Sequence, residues 1–314
     1  DVVRRPDGSF AVLEDNLRTP SGLGYMLATR RAVANHVAVP GGRRLRPIDG
    51  LAPVLLEALR AAAPEGVEDP LVVVLADGHE NPAFWEHRTL AESMGIGWAR
   101  PRDLRLERGR VWHGERAVDV VYRRTNEDQL TGELQALFEE PLRAGRVAVA
   151  NAFGTGVADD KLVHAYVEDM VRFYLGEEPE LPSVHTYDLA QEGVLEEVLD
   201  RLGELVVKPR AGSGGNGVVI GPLADRETLD RARREVRVAP SDHVVQEVVL
   251  LSEHPTVRHG ALAPRHVDLR PFVISAAGRR HVVPGGLTRV AFGQGEMIVN
   301  SSQNGGAKDT WVLD

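Results

Sequence analysis

Leu71-Val-Val-Val-Leu-Ala76 is an aliphatic run with no polar side. As a strand it has to be covered on both faces, and strands of that kind belong to parallel sheets with helices above and below. The sequence around it repeats the theme. A helical stretch at 83–94, closed by Met94-Gly95, leads to a short strand at Ile96–Ala99. Val118–Tyr122 and Arg146–Ala150 repeat the strand signal around a helix near 130–144. This alternation predicts an α/β chain with a small doubly wound domain over about 71–150.

The flanking segments read differently. Residues 1–14 form a hairpin pattern, with Arg5-Pro-Asp-Gly8 as the turn. Helices are expected at 23–35 and 51–63, with a Gly-, Pro- and Arg-rich loop at 36–50. Further helices are expected at 158–175, 188–202 and 225–237. Strands are expected at Leu205–Pro209, Val218–Ile220 and Val244–Leu250, then at Val267–Ser275, His281–Val283, Leu287–Phe292 and Met297–Asn300. A chain of 314 residues has room for about two domains. It opens on Asp1 and runs at once into Val2-Val3, which reads as a fragment or processed product cut inside a strand.

Composition removes whole classes of function. Lys plus Arg total 37 against 46 for Asp plus Glu, a net charge of −9. That balance excludes a sequence-independent nucleic-acid binder but leaves room for a local basic pocket. Without cysteine there is no disulfide, thiolate or Cys-based metal chemistry. The longest apolar run is far too short to span a bilayer, so no membrane partner is expected and the compartment read is cytoplasmic. The histidines lack HxxxH and HExxH spacing and read as structural or exposed. Ser213 and Ser301 lack a GxSxG context, so nucleophilic hydrolysis is not indicated.

Five segments could carry chemistry. In Val206-Val-Lys-Pro-Arg-Ala-Gly-Ser-Gly-Gly-Asn-Gly217 a glycine-rich turn joins two strands, so backbone N–H groups can approach phosphate oxygens. Lys208, on the strand leading in, would neutralise phosphate charge. The absence of a following helix rules out a P-loop or a dinucleotide fingerprint, and alone such a hairpin is most often only a turn. In Leu13-Glu-Asp-Asn-Leu-Arg-Thr-Pro-Ser21, Glu14 and Asn16 project to one side of a strand end with hard oxygen ligands. Asp1, on the neighbouring strand, could add a third oxygen. Arg18 and Ser21 offer donors to a charged intermediate. A polar turn with a helix cap at Ser21 accounts for the same residues. In Pro264–Val273, His266, Asp268 and Arg270 share a strand face, which is costly in a core unless it lines a site, and a solvent-facing side accounts for the same residues. The Gly-rich Val299–Asp309 and the capped helix start Gly154–Lys161 complete the set.

Together these motifs resemble the circularly permuted ATP-grasp family (type 2), close to the ligase domain of glutathionylspermidine synthases. The resemblance is carried by VLEDNLRTPSG (12–22), NAFGTGVADDK (151–161), LVVKPRAGSGGNG (205–217), APRHVDLRPFV (263–273), PGGLTRVA (284–291) and VNSSQNGGAKDTWVL (299–313). Residues 72–96 look like that family's Rossmann-like segment.

The resemblance implies a permuted α+β ATP-grasp core with a Rossmann-like preATP-grasp domain. The segments implied are a metal-binding part of the core at 1–70, the Rossmann-like domain at 71–150, and a helical connection at 151–203. A lid subdomain at 204–250 and the remainder of the core at 251–314 complete them. It also implies ATP and Mg²⁺ as cofactors. Asp1, Glu14 and Asn16 match metal-holding residues. Lys161, Lys208, Ser213, Gly214, Gly215, Gly217, Gln246, Glu247 and Lys308 match nucleotide-binding ones. Arg18, Ser21, Arg270 and Arg289 match residues around the phosphate and acyl phosphate.

The implied function is an ATP-dependent carboxylate–amine ligase acting through an acyl phosphate. Its partners would be a small-molecule or peptide carboxylate and an amine acceptor. Family members usually carry an N-terminal extension before the metal-binding hairpin. Its loss suggests the alternative of a catalytically impaired nucleotide- or partner-binding protein on the same fold. A nicotinamide-dependent oxidoreductase built on 71–150 would need a G-x-G-x-x-G after Leu71–Ala76, and none is present.

Overall fold

Val72–Leu75 is a strand with every side chain buried. Its residues alternate between two cores, Val72 and Val74 in one and Val73 and Leu75 in the other. The computed structural model describes residues 1–125, 132–212, 215–297, 299 and 305–314. The chain divides into two units. One comprises Asp1–Asn16, Val157–Leu269 and Thr288–Ala307, and the second Leu17–Gly156, Arg270–Leu287 and Lys308–Asp314.

The second unit holds a parallel sheet ordered Gly97–Ala99, Val72–Leu75, Val120–Arg123, Ala148–Ala150. Helices Leu23–Ala34, Leu51–Arg60 and Phe84–Met94 cover one face. Leu51, Leu55 and Leu59 recur every fourth residue and so form one buried stripe. Helix Glu133–Arg143 covers the other face through Leu134, Leu137 and Phe138.

Three antiparallel strands at Leu104–Glu107, Arg110–His113 and Arg116–Ala117 are absent from the sequence reading. They bury only Leu104 and Val111, so their charged faces hid the alternation. The expected strands His281–Val283 and Leu287–Phe292 prove to be one, Arg279–Val290, running through Pro284-Gly285-Gly286. Gly285 is tolerated there for a reason of space: a Cβ would lie 3.2 Å from Ile48 Cγ2 and 3.4 Å from Met26 Sδ.

In the first unit Val2–Arg4 pairs antiparallel with Phe10–Val12, and Val2 faces Leu269 of strand Ala261–Ala276. Glu253–Arg258, which the sequence reading lacks, pairs with the same long strand. A separate antiparallel sheet is ordered Thr186–Tyr187, His243–Glu247, Leu205–Pro209, Val219–Ile220. Helices Val194–Asp200 and Arg226–Val238 contribute Val198, Leu199, Ala232 and Val236 to its core, alongside Leu205, Val207 and Val245. Asp225 starts the longer helix by accepting from Thr228 N at 2.8 Å.

Three expected helices are shorter than their patterns or broken; that over 51–63 ends at Arg60. The one over 188–202 begins only at Val194, after Gly193 at φ 80°. The one over 158–175 breaks into Gly156–Asp159, Lys161–His164, Val167–Met170 and Val171–Leu175. Asp160 is extended and caps the second piece by accepting from Leu162 N at 3.0 Å. Of the expected strand Met297–Asn300, residues 298 and 300 lie outside the described residues.

Gly221 has no room for a side chain. A Cβ would stand 2.7 Å from Gly203 C, 2.8 Å from Leu205 O and closer still to Leu202 O, all backbone atoms. Gly221→Ala is expected to cost about 1–3 kcal/mol of stability, read as a lower urea midpoint with unchanged slope.

Candidate functional site

In the first unit, strands Leu205–Pro209 and His243–Glu247 place Lys208 and Gln246 on one sheet face, because Val206 pairs with Gln246 and Lys208 with Val244. Leu13, Glu14 and Asp15 follow the N-terminal hairpin, and Lys161 and His164 come from the helix capped by Asp160. Glu14, Asp15, Lys161, His164, Lys208 and Gln246 all line one small cavity.

Its electrostatics are unusual. Lys208 is 9% exposed. Burial pushes its ammonium down to about 8; Lys161 adds to that, and Glu14 partly opposes it. Burial pushes the Glu14 carboxyl up, but Lys208, Lys161, the Asp1 ammonium and Arg289 together outweigh it and hold it below its ordinary range. Asp15 is lowered by its hydrogen bond with His164, at 3.4 Å from Nδ1. Gln246 is 2% exposed, and its Nε2 donates to Thr186 Oγ1 at 2.8 Å. That leaves Gln246 Oε1 buried without a partner, and His164 Nε2 likewise. A buried acceptor with its own amide N–H already committed suits a ligand that brings a donor, such as an exocyclic amine.

The glycine-rich turn is tied to the same helix start. Arg210 Nε donates to Asp160 Oδ1 at 3.0 Å, and Lys161 Nζ donates to Gly212 O. Gly215 and Gly217 adopt φ 75° and 72°, and a Cβ on Gly217 would lie 2.8 Å from Pro209 Cγ. Ser213 and Gly214 lie outside the described residues. Glu247 is not in the cavity lining: its carboxylate accepts from Tyr187 Oη and from Arg201 Nη2 at 3.1 Å.

Of the three proposed metal ligands, Glu14 reaches the cavity and Asn16 is exposed. The Asp1 carboxylate is buried and accepts from Arg289 Nη2 at 2.7 Å. Arg289 also holds Asp268, with Nε 2.9 Å from Oδ1, so it joins two carboxylates. Among the described residues no three His, Cys, Asp or Glu side chains could hold a metal by themselves. The donor set of two carboxylates and one amide is nonetheless the hard-oxygen chemistry that Mg²⁺ takes.

Arg18, Ser21, Arg270 and Lys308 belong to the second unit. Arg270 Nη1 donates to Ser21 O at 2.9 Å. Arg18 O accepts from Arg123 Nη2 at 3.4 Å. Lys308 is shifted down by burial. Beside it, Asp309 accepts from Arg30 Nε at 2.7 Å.

Several polar residues of this unit escaped the sequence reading. Arg123 is fully buried and also donates to Asn151 O at 3.0 Å and Ala152 O at 3.1 Å. Glu86, His87 and Arg124 are buried too. A signal for the lysines was present: only Lys161, Lys208 and Lys308 occur in the chain. Where arginine carries nearly all the positive charge, three lysines are conspicuous, because an ammonium is a compact point charge and not a planar fork.

The family model for circularly permuted ATP-grasp type 2 proteins matches residues 1–291. A Mycobacterium tuberculosis protein is 44% identical over 327 residues, across 100% of this chain and 59% of its own length. A Frankia casuarinae protein, provisionally named a glutamate–cysteine ligase, is 46% identical over 329 residues, across 99% of this chain and 38% of its own. The chain therefore spans 59% or less of these relatives. A glutathione synthetase-like effector from Globodera pallida, solved in apo form, shares the fold with a TM-score of 0.65 at 11% identity. That match covers 99% of this chain and 74% of the effector.

With three lysines, the cavity can be read by NMR of the side-chain ammonium groups. Lys208 is expected to titrate near pH 8 instead of near its ordinary 10.5. Glu14→Gln should move it lower still, because Glu14 raises it. The folded value lies below the unfolded one, so this group adds stability as pH rises from about 8 towards the unfolded value.

Proposed function

The chain belongs to the circularly permuted ATP-grasp type 2 family, and we propose that it is the catalytic core of an ATP-dependent carboxylate–amine ligase. One observation carries this reading: a single cavity collects Glu14, Lys161, Lys208 and the orphaned Gln246 Oε1. A cationic pair beside an unsatisfied acceptor suits a nucleotide, with phosphates at the lysines and a base amine at Gln246.

A carboxylate is a poor electrophile. Its attack on the γ-phosphoryl group makes an acyl phosphate, and an amine then expels phosphate to leave an amide. The first step brings two anions together, so cations must offset their repulsion. Lys161 and Lys208 are proposed to hold the nucleotide phosphates, and Lys308 is proposed as a further nucleotide-binding residue. Ser213, Gly214, Gly215 and Gly217 are proposed to offer backbone donors from the lid at 204–250. The Gln246–Glu247 strand would flank the base. Arg18, Ser21 and Arg270 are proposed to face the acyl phosphate, with Arg289 supporting the Asp1 and Asp268 carboxylates. Asp1, Glu14 and Asn16 would hold Mg²⁺, which when bound neutralises phosphate charge. A small-molecule or peptide acid and an amine of the amino-acid or polyamine kind are the proposed substrates, as in glutathionylspermidine-synthase-like chemistry. A reaction drawing on ATP suits the cytoplasm.

Release of ADP and phosphate from ATP and Mg²⁺ is expected only when a carboxylate and an amine are both present. Pooled amino acids and polyamines serve as the first screen. Glu14→Gln and Lys208→Met are each expected to lower the rate by at least about 100-fold. Full activity in both variants would refute the site, and ATP binding without turnover would favour a non-catalytic protein.

A further inference from the structure

Helix Leu23–Ala34 begins at Gly22, with no side-chain cap and no acidic residue in its first turn. Its first amides need an acceptor from elsewhere. Glu86, on helix Phe84–Met94, supplies it: Oε1 accepts from Gly22 N at 2.7 Å and from Gly24 N at 2.9 Å. Glycine is required at both positions, at Gly24 by the approach of Glu86 and at Gly22 by its own surroundings. A Cβ on Gly24 would lie 2.9 Å from Glu86 Cγ, and Gly22, at φ 131°, would press on Phe272 Cζ at 2.7 Å.

The carboxylate is buried, and its counter-charge is Arg124, with Nη2 3.8 Å from Oε2 and both side chains 1% exposed. The same Nη2 donates to Ser21 Oγ at 2.8 Å. A buried ion pair adds little stability that apolar residues could not. What this pair does add is orientation. A serine oxygen that accepts from Arg124 still has its own O–H to donate outward. Arg270 fixes the Ser21 carbonyl from another side. Neighbouring His87 is pushed down to about 3 by burial and then by Arg124, so it stays neutral and leaves the pair's charges alone.

We propose that Glu86 and Arg124 are positioning residues for the ligase reaction: they hold Ser21 as a preset hydrogen-bond donor to the activated carboxylate, without touching it themselves. This rests on the acyl-phosphate role proposed above for Ser21.

The test uses ADP release with ATP, Mg²⁺ and the pooled amino acids and polyamines. Ser21→Ala and Arg124→Met should each lower kcat about 100-fold, with KM for ATP unchanged within about twofold. If Arg124 acts through Ser21, the double variant loses no more than the worse single one. Glu86→Gln keeps the acceptor for Gly22 and Gly24 and should retain more activity than Glu86→Leu. The pair Glu86→Gln with Arg124→Met leaves neither partner charged, so no unpaired charge is buried at this site, and it should fold yet remain slow.

Losses that multiply, or a KM for ATP that rises with the fall in kcat, overturn the inference. Loss in Ser21→Ala with full activity in Arg124→Met overturns it too, while the function proposed above survives. Full activity in Ser21→Ala instead removes the role given to Ser21. Amide exchange over 17–24 decides the clamp even without turnover: Glu86→Leu should speed it while Val72–Leu75 stays protected. Unchanged exchange over 17–24 overturns the clamp.

Discussion

An ionised side chain taken out of water must meet an opposite charge or a set of hydrogen bonds, and in both units that requirement organises the polar residues. Arg289 reaches Asp1 and Asp268. Arg123 satisfies itself on the backbone carbonyls of Arg18, Asn151 and Ala152. Glu86 takes the amides at a helix start and Arg124 answers its charge. Lys208 is met less fully. Glu14 offsets only part of its burial, so its proton is held loosely. A cation left under-compensated in this way fits the phosphate-binding role proposed for it.

The apolar framework makes those burials affordable. Alternation along Val72–Leu75 feeds two cores at once, which requires helices on both faces of the sheet. In the first unit, Leu205 and Val207 point into the helix-covered core while Lys208 points to the cavity. One short strand thus both anchors the sheet and presents the cation. The break at Asp160 works similarly. By leaving the helix conformation it caps the next turn and frees its carboxylate for Arg210. The glycine-rich turn is thereby held next to Lys161.

Much of this was legible in the residues. The aliphatic run announced a strand covered on both sides, and Arg5-Pro-Asp-Gly8 announced its hairpin. Lys208 ahead of a glycine-rich turn, and Glu14 after the hairpin, stood out by residue type and spacing and line one cavity, whereas Asn16, put on the same side as Glu14 by spacing, is exposed. Other features were illegible because their partners are remote in sequence. Glu86 lies 62 residues from Gly24 and Arg124 lies 103 from Ser21. Read locally, Glu86 is a helix carboxylate and Arg124 the end of a strand. Glu247 adjoins Gln246 in sequence, yet neighbours on a strand face opposite ways, and its carboxylate goes to Tyr187 and Arg201. The strands at 104–117 bury two side chains only, too few to register as a pattern.

What the sequence determined by itself is therefore local. Periodicity chose helix or strand, glycine and proline set most turns, and the order of motifs announced the family. The tertiary structure alone decided which charges are buried and what compensates each of them. That follows from range. Backbone preference and side-chain alternation act over a few residues, whereas desolvation and charge pairing depend on whatever the fold brings within a few ångströms.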